Sequence, residues 1–140
     1  MAGLAAVEVS VSLQPEDQFG CSTAILDDYS LVGACGDGWH SGHARSGATY
    51  WLRLNAIADA PIAEVVQVLI APDATSNARF GAAVAMADDF LVVGAPMQST
   101  DALVPSVREG AVYAWRVTSA VAGVVEFSRR FTSDDPTDNA

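Results

Sequence analysis

Asp37, His40 and His43 fall within seven residues, in a stretch GDGWHSGHARSG that also carries Trp39 and Arg45. Two imidazoles and a carboxylate are a ligand set for Zn²⁺ or a similar ion. The stretch is rich in glycine and has no helical period, so nothing in it fixes tetrahedral geometry, and no metal is expected. Paired aspartates stand at Asp27-Asp28 and Asp88-Asp89. They are turn formers before they are acid/base pairs, and a catalytic centre would be single rather than repeated. Gly-x-Ser-x-Gly is absent, and no Ser-His-Asp order has supporting context. No catalytic residue and no cofactor is expected. Contact chemistry remains. The indole of Trp39, in a polar loop, is either tucked onto the scaffold or offered to a partner. Tryptophan and arginine dominate interface energetics. The candidate ligand-binding residues are therefore Trp39, His40, His43 and Arg45.

These residues sit in a chain that repeats. FGAAVAMADDFLVVGAP, from Phe80 to Pro96, has the same pattern as FGCSTAILDDYSLVGAC, from Phe19 to Cys35. Phe19 and Phe80 are 61 positions apart, and so are Gly33 and Gly94. Each copy holds two apolar runs about an acidic pair, the pattern of two short strands joined by a tight turn. Gly47-Ala48 with Tyr50 reappears as Gly110-Ala111 with Tyr113.

The expected strands follow in order. Residues 6–13 alternate valine with Glu8, Ser10 and Ser12 and read as a half-exposed strand. In the first unit, strands are expected from Phe19 to about Leu26, Ser30 to Ala34, Ala48 to Leu54 and Ile62 to Ile70, with a loop from Asn55 to Pro61. In the second they are expected over Phe80 to Met86, Phe90 to Gly94, Gly110 to Trp115 and Val124 to Phe131, with a long loop from Met97 to Glu109. A unit of four strands and about sixty residues has the scale of one propeller blade. The division is 6–13, the outer strand of a preceding blade; 14–70, the first blade; 71–131, the second; and 132–140, a linker. The fold class is all-β, a partial β-propeller of two four-stranded antiparallel blades plus one extra outer strand. Two blades leave edges and one face uncovered, so further blades, from a longer chain or from self-association, are expected. If the first two strands form a hairpin about Asp27-Asp28-Tyr29, Cys21 faces Cys35. The two thiols are then expected to be neighbours, bonded only in an oxidising compartment.

The 140 residues carry a formal charge of −10, and all seven basic residues are arginine. That balance argues against binding a nucleic-acid backbone, which needs clustered positive charge. No apolar run reaches the length of a membrane span, and the first residues lack the basic start of a signal peptide.

Phe19-Gly20 with Gly33-Ala34, and Phe80-Gly81 with Gly94-Ala95-Pro96, resemble the FG-GAP repeats of integrin alpha-chain β-propellers and similar surface proteins. Gly47-Ala48-x-Tyr50 and Gly110-Ala111-x-Tyr113 are similar to the third strand of that repeat. Cys35 stands where the family has proline. The calcium loop of many integrin repeats is here only Asp27-Asp28 or Asp88-Asp89. Two residues cannot supply the six to eight oxygens that Ca²⁺ takes, so calcium is not carried over. The resemblance implies non-catalytic recognition of a protein or glycan partner, at a cell surface or outside the cell. Alternatives are an accessory propeller of a secreted hydrolase and a purely structural repeat. It also implies that ligands meet the face carrying the long connections between second and third strands, where Trp39 and Arg45 lie.

Overall fold

The structure, a computed structural model, describes residues 14–57, 60–99, 108–120 and 123–132. The strand expected at 6–13 and the linker after Thr132 lie outside these residues, as does most of the second long loop. The described residues form eight strands: β1 (Phe19–Leu26), β2 (Tyr29–Ala34), β3 (Ala48–Ile57), β4 (Ala60–Leu69), β5 (Ala83–Met86), β6 (Phe90–Ala95), β7 (Ala111–Ser119) and β8 (Val124–Thr132). They form two four-stranded sheets in the orders β1-β2-β3-β4 and β5-β6-β7-β8, antiparallel throughout. Tight turns join β1 to β2 and β5 to β6, and the longer connections from β2 to β3 and from β6 to β7 return the chain to the same sheet, so neighbours in sequence pair as neighbours in space.

The sheets face each other across a shared core. Leu31, Trp51 and Leu69 of the first sheet meet Leu91, Val93, Tyr113 and Trp115 of the second, with Phe80 between them. The Phe80 ring stands edge-on to Tyr113 at 5.5 Å and to Trp115 at 5.7 Å. Each such side chain contributes roughly 1.5–3 kcal/mol on burial, so the seam between sheets is the main source of cohesion. The opposite face of the first sheet carries a smaller cluster of Val32, Ala34, Tyr50 and Leu52.

Phe80 does not begin a strand, as its motif suggests. It makes an isolated parallel bridge to Gly47, with Phe80 N donating to Ser46 O at 2.7 Å. Gly81 then turns the chain in a left-handed conformation, φ 96°. Its carbonyl oxygen lies so close to Gly33 that any Cβ there would overlap it. The two glycines of the repeated motif therefore belong to one joint: Phe-Gly of one sheet locks against Gly-Ala of the sheet before it.

The expected loop over Asn55 to Pro61 is mostly strand. Pairing continues out to Ile57↔Ala60 and includes Ala56↔Pro61. The sheet tolerates this proline because β4 is an edge strand. The cysteine register is also displaced. The hairpin pairs Thr23 with Val32 and Ser22 with Gly33, and is irregular between Phe19 and Ser22. Gly20, at φ 93°, puts Cys21 into that bulge. The thiols are neighbours all the same: Cys35 N donates to Cys21 Sγ at 3.2 Å, and both cysteines are free.

Candidate functional site

The connection from β2 to β3 is built around Asp37, which is buried. Its Oδ1 accepts from Trp39 N at 2.8 Å and His40 N at 3.2 Å. Its Oδ2 accepts from Tyr50 Oη–H at 2.9 Å and lies 2.7 Å from His40 Nδ1. A carboxylate with this many donors is the fixed point of the loop, since an unpaired buried charge is costly. Burial first, then the hydrogen bond to Asp37 and its charge, push the Tyr50 phenol well above its ordinary range. It stays a donor at any ordinary pH.

The second blade solves the same problem from another loop. Position 98, which matches 37, holds Gln98, buried with Nε2 donating to Asp73 O at 2.8 Å. Tyr113, which matches Tyr50, donates to Asp73 Oδ1 at 2.5 Å, and Arg130 pairs with Asp73 Oδ2. Burial, with Asp73 second, raises this phenol too.

The four candidate residues separate. His40 is a structural group, held by Asp37 and stacked edge-on to Tyr50 at 5.6 Å. His43 is exposed and contributes backbone contacts to Ser41 and Ser46. Among the described residues no three of His, Cys, Asp and Glu gather in a way that could hold a metal ion. Trp39 is 75% exposed, so its indole stands off the scaffold. Arg45 lines a cleft of about 430 Å³ together with Pro15, Gln18, Asn77, Arg79 and Arg108.

That cleft brings together the β2–β3 connection, the β4–β5 connection and the segment before β1. It lies on the side carrying the long connections. The tight Asp27-Asp28 and Asp88-Asp89 turns meet on the other side, around Ala120, whose carbonyl accepts from Tyr29 Oη–H and Arg53 Nη2. Five described residues other than glycine have positive φ: Gln18 at 56°, Asp27 at 53°, Arg45 at 52°, Asn77 at 64° and Arg79 at 61°. Four of these five line the cleft. Left-handed backbone costs a residue with a Cβ roughly 1–2 kcal/mol, and such residues gather where structure serves function.

Residues 64–115 match the family model of the FG-GAP repeat. The chain carries an FG-GAP repeat. The match runs from β4 through β5 and β6 to Trp115 in β7, so it spans the seam and contains Phe80-Gly81 and Gly94-Ala95-Pro96. FG-GAP repeats are β-propeller blades, and the two four-stranded sheets, blade-like in size and strand order, do not close into a ring among the described residues. They are generally structural and recognition modules. No curated protein matches the chain.

Gln18, Asn77 and Arg79 are cleft residues that motif reading of the FG-GAP units does not pick out. A signal for the cleft was present all the same. Gln18 and Arg79 both precede Phe-Gly, and Arg45 and Arg108 both stand two residues before Gly-Ala. The lining is thus partly a repeated feature of the two blades.

Proposed function

We propose that this FG-GAP module is a non-catalytic recognition unit, one part of a surface or extracellular β-propeller, that binds a protein or glycan partner through the side carrying its long connections. The observation that supports this most is the concentration of left-handed, non-glycine residues around one cleft there. A merely structural loop would place glycine at such positions at less cost. Trp39 and Arg45 are the proposed anchors, one exposed on the loop and one in the cleft. His40 supports the loop through Asp37, and His43 is offered at its surface. The integrin resemblance accords with an adhesion-like role.

Protein and glycan arrays probed with the wild-type chain and with a Trp39→Ala/Arg45→Ala variant test this reading. Signals that the variant loses while its thermal midpoint is unchanged support it. Signals that both proteins share equally remove these residues from the binding surface.

The rear of the second blade supports the partner reading in another way. Phe131 matches Leu69 in the repeat, yet it is 51% exposed where Leu69 is 2% exposed. Beside it lies an apolar hollow of about 590 Å³ lined by Ala83, Gly94, Gly110 and Val112. A further blade, from a longer chain or a second copy, is the proposed occupant.

A further inference from the structure

The charge of the cleft runs against that of the chain. Acidic residues number 17 and arginines seven, yet three of the seven arginines line this one cleft, with Glu16 as its acidic member. Of the other four arginines, Arg53 faces Glu64 and Arg130 pairs with Asp73. Arg45, Arg79 and Arg108 have no carboxylate partner among the described residues. Arg79 Nη2 rests on Gln18 Oε1 at 3.2 Å and near Cys35 Sγ at 3.9 Å. Arg108 Nη1 reaches the carbonyls of Asn77 at 3.2 Å, Ser76 at 3.3 Å and Met97 at 3.4 Å. These neutral acceptors orient the guanidinium groups without cancelling their charge. Arg45 and Arg79 also hold their places on left-handed backbone, where glycine would be the relaxed choice.

We propose that the cleft binds a carboxylate presented by an acidic segment of a protein partner, an inference that rests on the recognition role above. Arginine forks match the planar carboxylate, two N–H donors to two oxygens. The net charge of −10 and the presence of Glu16 set the choice among anions. A densely charged chain such as a sulfated glycan is repelled by the acidic surface around the cleft. A single carboxylate on a short segment brings less charge and enters the local positive field.

The test uses the 140-residue chain and two rhodamine-labelled serine octapeptides, one with a single central Asp and one with Asn in its place, read by fluorescence anisotropy. The Asp peptide is expected to bind about tenfold more tightly than the Asn peptide, with the gap closing as salt screens the charges. Arg45→Gly and Arg79→Gly are expected to abolish that preference while leaving the thermal midpoint unchanged or raised, since glycine takes the left-handed backbone without strain. Equal binding of the two peptides overturns the proposal, as does a heparin-derived oligosaccharide that competes at lower concentration than the Asp peptide. If the two peptides bind equally but array signals still depend on Trp39, the recognition role stands and the carboxylate assignment falls.

Discussion

A methyl group added to Gly33 would overlap the carbonyl oxygen of Gly81, whereas one added to Gly94 would meet nothing nearer than Ala83 Cβ at 3.5 Å. The two glycines hold the same place in the two blades. The difference is that a blade follows the first and, among the described residues, none follows the second. Neighbouring positions behave alike: Thr49 and Trp51 are buried by the second blade, while Val112, which matches Thr49, is exposed. The glycines of the motif are thus requirements of a joint rather than of a strand. The donors across that joint make the same point. Cys21 Sγ and Ser22 Oγ both donate to Gly81 O, at 3.2 Å and 2.6 Å, and their counterparts in the second blade are Ala82 and Ala83.

The two phenylalanines of the motif give the largest contrast. Phe80→Ala empties the seam and is expected to cost about 3–5 kcal/mol in denaturant unfolding. Phe19→Ala removes a partly exposed ring that touches Tyr50 edge-on at 5.3 Å, and is expected to cost about 1 kcal/mol. Similar losses at both sites would contradict the distinction between a filled joint and an open one.

Gly33→Ala is expected to cost about 2–3 kcal/mol, because it overpacks against backbone that cannot yield easily. Gly94→Ala is expected to stay within about 0.5 kcal/mol. Thermal unfolding of the two variants side by side checks the pair. A costly Gly94→Ala would mean that the second glycine already has a neighbour.

Phe131→Ser is expected to change stability by less than about 0.5 kcal/mol, the usual range for exposed sites, while lowering self-association. Light scattering after size exclusion should show wild-type chain heavier than one copy, and the variant closer to one copy. A wild-type chain that runs as a sharp single copy would leave the rear face without its proposed occupant.

The smallest effect concerns Cys21, which the second blade lacks. Partial burial, and then its contact with Cys35, push this thiol up to about 11 from 9.0. Between those values the folded chain binds more protons than the unfolded one, so stability falls as pH rises through that window. Cys21→Ala should flatten that slope. At pH 8 the thiolate is about one part in a thousand, so alkylation of Cys21 should be slow despite its exposed position.

Much of this architecture was legible because the joint repeats. A joint that needs Phe-Gly on one side and Gly-Ala on the other prints both at a fixed spacing. The acidic pairs mark their turns for local reasons. What could not be read were non-local effects. Phe80 leaves the strand because it bridges to Gly47 in the other blade. The displaced cysteine register has two causes: the turn takes two residues, Asp27 and Asp28, rather than three, and left-handed Gly20 adds a bulge that no local pattern announces. Arg45, which lines the cleft, was singled out by residue type alone. Arg79 and Gln18 were not, because nothing in an arginine or a glutamine announces a left-handed backbone.

The tryptophans lie on opposite sides of this division. Trp51 is 1% exposed and Trp115 is also buried, both in the seam, whereas Trp39 stands in solvent. An indole in an apolar core emits at shorter wavelength than one in water. The blue part of the emission therefore reports whether the blades are together, and the red part reports what touches the loop. Iodide, an anion held off by the acidic surface, should quench Trp39 weakly and the seam pair hardly at all. A neutral quencher should find Trp39 readily. Slippage of one blade on the other, with both sheets intact, would then appear as a red shift with unchanged far-ultraviolet dichroism. The protein carries an optical gauge for its own seam.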